Sequence, residues 1–163
     1  MSHEGGSGLA IEDFDQDGYT DLALLGSDGQ LELYANREGR AFAVDAVRAS
    51  LSGPGELISA DFDNDGDLDL YVSRLQGDNF LFRNDGANTE GRWHFADFAS
   101  AAGVTEPQES FPTWFWDYDN DGWLDIFVSG YHYNPDINAG DVAADYLGLP
   151  TDAERARLFR NNG

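Results

Sequence analysis

A ten-residue pattern of aspartates set around one glycine occurs three times in this chain, and it restricts the fold more than any other feature. The copies are Asp13-Phe14-Asp15-Gln16-Asp17-Gly18-Tyr19-Thr20-Asp21-Leu22, Asp61-Phe62-Asp63-Asn64-Asp65-Gly66-Asp67-Leu68-Asp69-Leu70 and Asp117-Tyr118-Asp119-Asn120-Asp121-Gly122-Trp123-Leu124-Asp125-Ile126. Each has Asp at positions 1, 3, 5 and 9, Gly at 6, an aromatic at 2 and an aliphatic residue at 10. Short carboxylates at alternate positions of a curled loop converge on one point. That arrangement suits Ca²⁺, which takes about 6–8 oxygen ligands at roughly 2.3–2.6 Å. Gly at position 6 permits the sharp turn. The residue at position 7 (Tyr19, Asp67 or Trp123) would offer its backbone carbonyl, so its side chain is free to vary. Turns favour Asp and Gly in any case, but three copies in register with matching apolar flanks exceed that preference. Without a cation, carboxylates packed this closely repel one another and should destabilise the loop.

Position 12 separates these loops from EF-hands. An EF-hand needs a bidentate Glu there and a helix on each side. Here position 12 is Leu24, Val72 or Val128, and the residues after position 9 read as strands. The acid at position 9 therefore closes a loop between two strands. With no Cys in the chain, thrombospondin-type calcium repeats are disfavoured.

The 163 residues suffice for one domain with a core. A net charge of −22 disfavours nucleic acid and anionic membranes as partners, because both call for basic patches. The six positive charges of three Ca²⁺ would leave the chain strongly acidic. No apolar run approaches the ~18 residues of a membrane span, so membrane insertion is not expected, and no signal peptide is visible. Residues 1–8 read as a polar, Gly-rich lead-in, an artificial start or the cut edge of a longer chain.

A second landmark follows each loop: Leu33-Tyr34-Ala35-Asn36, Leu81-Phe82-Arg83-Asn84 and Leu158-Phe159-Arg160-Asn161. The third interval is the longest, which places an insertion at 131–157. Four short strands per repeat are expected, at 9–14, 21–25, 30–35 and 40–47, then at 56–62, 68–74, 79–84 and 93–98. The fold class is all-β, a partial β-propeller of about three four-stranded blades: 9–50, 51–108 and an incomplete 109–163. Each loop joins the first and second strands of its blade. Three blades should not close a propeller, so open blade edges invite self-association.

Trp114 and Trp116 alternate along a strand and should share one side, packed between blades. Within the insertion, Thr151-Asp152-Ala153-Glu154 looks like a capping box, predicting a short helix over 152–158. In an antiparallel blade the insertion leaves from the end opposite the acidic loops. Tyr131, His132 and Tyr133 open it and are candidate ligand contacts.

The run from Asp61 to Val72, followed by Leu81-Phe82-Arg83-Asn84-Asp85-Gly86, resembles the FG-GAP/VCBS repeats that form integrin-α-like propeller blades. The third repeat, with Leu147-Gly148-Leu149-Pro150 ahead of Arg157 to Gly163, is similar to the bacterial ASPIC/UnbV-associated branch related to cartilage acidic protein. The resemblance implies a calcium-bound propeller, secreted or surface-exposed (extracellular, periplasmic or on the cell surface), used for adhesion or for binding a protein or glycan ligand. By position, it implies metal ligation by Asp13, Asp15, Asp17 and Asp21, by Asp61, Asp63, Asp65 and Asp69, and by Asp117, Asp119, Asp121 and Asp125. Tyr19, Asp67 and Trp123 would add backbone carbonyls, for about three Ca²⁺ in all. The metal is expected to be structural, because all ligands of a site come from one short segment with no base or nucleophile beside them.

The competing expectation is the propeller portion of a calcium-dependent enzyme such as a polysaccharide lyase. Such an enzyme needs a proton-transfer pair in one cleft. The histidines are His3 in the lead-in, His94 in a strand beside Trp93, and His132 between two tyrosines. No convincing catalytic constellation results, and a binding module is the stronger expectation.

Overall fold

The structure is a computed structural model, and it describes residues 8–51, 55–87, 93–130, 139–150 and 154–163. Three antiparallel sheets follow one another along the chain. The first is β1 (Gly8–Glu12), β2 (Asp21–Leu25), β3 (Gln30–Asn36) and β4 (Phe42–Ser50). The second is β5 (Gly55–Ala60), β6 (Asp69–Arg74), β7 (Phe80–Ala87) and β8 (Trp93–Asp97). The third is β9 (Ser110–Trp116), β10 (Asp125–Gly130) and β11 (Arg157–Phe159), with β10 in the middle. Each is a simple meander, so the sequence reading of four-stranded blades holds, and the third blade shows three strands among the described residues.

Burial explains the stacking. In the first sheet Ala23 and Leu25 of β2 and Leu31, Leu33 and Ala35 of β3 are buried, while Leu22 and Leu24 are only half-buried. The period of two marks a sheet covered on one face. In the second sheet Leu70, Tyr71 and Val72 are all buried in succession, because that sheet is covered on both faces. Phe14, Leu33 and Leu25 meet Leu57, Val72, Phe82 and Trp93 in the first inter-sheet core. Tyr71, Leu81 and Val104 meet Ile126, Val128 and the half-buried Phe115 in the second. Each such side chain contributes about 1.5–3 kcal/mol on burial.

The innermost strands lie side by side, β1 against β5 and β5 against β9. Crowding there selects small residues: a Cβ on Gly8 of β1 would sit 2.5 Å from Leu57 Cβ of β5. Across the next junction the Thr113 N–H donates to Glu56 Oε2 at 2.6 Å. Face-to-face sheets with adjacent inner strands are the geometry of a partial β-propeller.

Two expectations need correction. Trp114 and Trp116 do share one side of β9, but they are 43% and 53% exposed rather than packed between blades. Alternation sends Phe115 toward the second sheet and both tryptophans to the outer face, where Trp114 stacks on Phe127 at 4.4 Å. Among the described residues of the predicted helix over 152–158 no helix forms: 154–156 are irregular, and 157–159 form β11, paired to Ile126, Phe127 and Val128. Strand pairing there overrides the local capping signal, and 151–153 lie outside the described residues. Helix in the insertion instead occupies α2 (Ala139–Tyr146), while a one-turn α1 (Ala99–Ala102) follows β8 and buries Ala99 in the second core.

Candidate metal centres

Each acidic loop bridges the first two strands of its sheet, at 13–20, 61–68 and 117–124. Position 9 opens the second strand: Asp21, Asp69 and Asp125 each have no solvent exposure. Their burial is tolerated because each carboxylate accepts two backbone N–H groups. One comes from position 2, with Phe14, Phe62 and Tyr118 donating to Oδ2 at 3.0, 2.9 and 2.9 Å. The other comes from the landmark asparagine, with Asn36, Asn84 and Asn161 donating to Oδ1 at 2.7, 2.8 and 2.8 Å.

Position 1 shapes the turn. Asp13, Asp61 and Asp117 accept the N–H of position 5 on Oδ1 and that of position 6 on Oδ2, all within 2.9–3.1 Å. Position 6 is Gly18, Gly66 or Gly122, with φ of 88, 97 and 91°, a region that L side chains rarely enter. Position 5 then accepts the N–H of position 7. The side chains at position 7 lie outside this ring. Tyr19 and Trp123 rest against Gly39 and Gly163 after the landmark asparagine, and Asp67 against Gly86.

This folding brings carboxylate oxygens within 4.8 Å of one another in three groups: Asp13, Asp15 and Asp17; Asp61, Asp63 and Asp69; Asp117, Asp119 and Asp125. Nine of the twelve carboxylates expected from the sequence are thus gathered; Asp21, Asp65 and Asp121 stand outside the groups. Buried carboxylate oxygens of Asp63 and Asp119, Oδ1 in each case, have no hydrogen-bond donor. An orphaned anionic oxygen among like charges is costly unless a cation meets it. The donor set, all oxygen and all acidic, fits a hard divalent ion. These groups could hold a metal ion.

The electrostatics agree. Burial pushes the Asp69 carboxyl up to about 7, and the nearby Asp63 and Asp65 add to the rise against the N–H groups of Asn84 and Phe62. Burial likewise raises Asp15, Asp21, Asp63 and Asp67, with neighbouring aspartates reinforcing it. In the third loop Arg160 supplies a counter-charge, its Nε 2.7 Å from Asp119 Oδ2 and its Nη2 3.4 Å from Asp121 Oδ2. That leaves Asp119 Oδ1 turned to the group.

The landmark asparagines were read in the sequence only as an alignment mark, yet they brace the site. Asn84 is fully buried, and its Nδ2 donates to the carbonyls of Leu68 and, across the blade junction, Phe14, both at 3.2 Å. Asn161 repeats this toward Leu124 and Phe62 at 3.3 and 2.7 Å. Their recurrence at a fixed place after each loop was the available signal.

Tyr131, His132 and Tyr133, like His3, lie outside the described residues. His94 is exposed on β8 and pairs through Nδ1 with Asp85 Oδ2 at 3.1 Å, an acid also held by Arg83. A pocket of about 580 Å³ opens between the second and third sheets, lined by Phe62, Leu81, Phe98, Ile126 and Phe159.

Comparisons with known proteins place this geometry. The chain is 29% identical to cartilage acidic protein 1 of Xenopus tropicalis over 140 residues, which is 78% of the chain and 21% of that protein. It is 28% identical over 152 residues to the proteins of the same name from Mus musculus and Homo sapiens, covering 78% of the chain and 21% and 20% of those proteins. The chain therefore spans about a fifth of the length of these relatives. A family model for the FG-GAP-like repeat matches residues 13–72 and again 61–128, taking in all three acidic loops. The chain belongs to the FG-GAP-like repeat family.

Proposed function

We propose that this chain is a calcium-binding propeller segment of an extracellular adhesion or ligand-binding module, with Ca²⁺ in a structural role. The observation that carries the reading is the set of three acidic groups with donorless buried oxygens on Asp63 and Asp119. Side chains at positions 1, 3, 5 and 9 and the carbonyls of Tyr19, Asp67 and Trp123 would hold the ions. Bound Ca²⁺ supplies charge neutralisation there. The residues do the rest: they tie the first strand of each blade to the second and present the blades as a rigid surface.

The reading is non-enzymatic. Among the described residues no histidine stands beside the acidic groups, and His94 is engaged at the surface. The relatives' name, cartilage acidic protein 1, associates them with cartilage. None of the described helices is long and apolar enough to cross a membrane. A protein or glycan partner would meet the end of the blades opposite the acidic loops, where the β10–β11 insertion with Tyr131, His132 and Tyr133 departs. Probing the immobilised chain with glycan and matrix-protein arrays tests this. Binding in Ca²⁺ that disappears in chelator and on deletion of 131–145 supports the module. Turnover of an acidic polysaccharide, lost in His132→Ala, would replace it with an enzyme.

A further inference from the structure

Position 4 of the acidic loops has no part in the ligand set, yet it is Gln16, Asn64 or Asn120, always a carboxamide. All three adopt left-handed backbone conformations, with φ of 56, 56 and 60°. A non-glycine residue there is uncommon, although asparagine tolerates it best. The side chain consequently leaves the loop apex sideways and reaches the next blade. Gln16 Nε2 donates to the Gly66 carbonyl at 2.7 Å and to Asp67 Oδ1 at 2.9 Å. Asn64 Nδ2 donates to the Gly122 carbonyl at 3.2 Å. Both acceptors are position 6 of the following loop, so the contact repeats with the blades.

The accepting peptide is a sensitive place to touch. The Gly66 carbonyl belongs to the peptide unit whose N–H, on Asp67, donates to Asp65 Oδ1 at 2.9 Å. The equivalent N–H of Trp123 donates to Asp121 Oδ1 at 3.0 Å. A donor on the carbonyl end of a peptide unit polarises its N–H end and fixes its plane. Position 4 of one loop therefore orients the position-5 carboxylate and the position-7 backbone of the next. On the sending side, Gln16 lies between Asp15 and Asp17, and Asn64 between Asp63 and Asp65, so a cation gathering those acids sets the aim of the amide.

We propose that Gln16 and Asn64 are positioning residues that couple the three loops into one relay, so that filling one loop tightens the next. The inference rests on the cation reading above. Two like-charged ions on neighbouring loops would otherwise oppose each other, and screening would leave independent or mildly anticooperative sites. With the relay, affinity at a neighbouring loop rises by roughly fivefold or more on filling the first.

The test is calorimetric Ca²⁺ titration of the full chain at fixed ionic strength, with Gln16→Gly, Asn64→Gly and Asn120→Gly. Glycine removes the amide while keeping the left-handed conformation accessible. Asn120 is the control, since no fourth acidic loop follows it within these 163 residues. Wild type and Asn120→Gly should bind about three ions with a Hill slope above 1. Gln16→Gly and Asn64→Gly should each keep the ion count and lower the slope, one junction remaining in each, and the double variant should bring it to 1 or below. Wild-type binding with independent sites, or slopes unchanged in all variants, overturns the relay while leaving the metal sites standing. Absence of bound ions overturns both.

Discussion

Asn84→Ala isolates what the landmark asparagine contributes. In the folded protein Asn84 is fully buried and makes three side-chain hydrogen bonds: to Phe14 O, to Leu68 O, and from the Gly86 N–H. Each is worth about 1 kcal/mol net, and leaving a buried carbonyl without a donor costs about 1–3 kcal/mol more. The substitution should therefore destabilise the chain by about 4–6 kcal/mol. For a chain of this size each kcal/mol moves the melting temperature by about 2–4 °C, so a fall on the order of 10 °C is expected. Asn36→Ala is the comparison. Asn36 bonds its own blade only, donating to Thr20 O at 2.9 Å and accepting from Gly39 N at 2.9 Å, at a more exposed position. Water can replace those partners, so about 1–2 kcal/mol should be lost. Denaturant unfolding of both variants gives the difference directly. Equal losses, within about 0.5 kcal/mol, would refute the claim that the cross-blade bond to Phe14 matters.

Asp63→Asn removes one charge and can set an amide N–H₂ where the donorless Oδ1 stands, so it should melt no lower than wild type in chelator while Ca²⁺ affinity at that loop falls roughly tenfold or more, read by titration. Stability should depend on pH in opposite senses with and without metal. The folded carboxyl of Asp69 titrates at about 7 against an ordinary 3.8, so the folded chain binds more protons between those values. Without metal, stability is greatest below about 4 from this group and is lost as pH rises to about 7, with a ceiling of about 4 kcal/mol. With Ca²⁺ bound the acids are held ionised, and acid should destabilise instead; melts from pH 5 to 8 in chelator and in Ca²⁺ check the crossing. Arg160→Gln removes a cation from beside Asp119 and Asp121 and should strengthen Ca²⁺ binding at the third loop a few-fold at low salt, an effect that salt should erase.

Much of this architecture is legible in the residues because it repeats. Three loops and three landmark asparagines in the same order fix the blade plan, and the alternation Leu31, Leu33, Ala35 assigns a face. What escaped reading depends on neighbours. Trp114 and Trp116 share a face as expected, but whether that face is covered depends on what stands beside the third sheet. The capping signal at 151–154 is local, and pairing of Arg157, Leu158 and Phe159 with β10 outweighs it. The acids at positions 1, 3, 5 and 9 are identifiable by spacing, whereas which of them gather differs between loops that make the same backbone hydrogen bonds: Asp17 is gathered and Asp65 and Asp121 are not, although each accepts the position-7 N–H. The sideways reach of Gln16 and Asn64 rests on a left-handed backbone, which composition alone does not disclose.

The central claim is that the acidic loops are structural calcium sites. It is tested most directly by thermal melts in Ca²⁺ and in chelator, with a parallel count of bound ions, on wild type and on Asp61→Ala/Asp63→Ala. Ligand that binds only the folded state at a hundred times its Kd adds about 2.7 kcal/mol per independent site. The account predicts about three ions and a large rise in melting temperature for wild type, with one ion fewer and a smaller rise for the double variant. No ion bound at millimolar Ca²⁺ and an unchanged melt would contradict it.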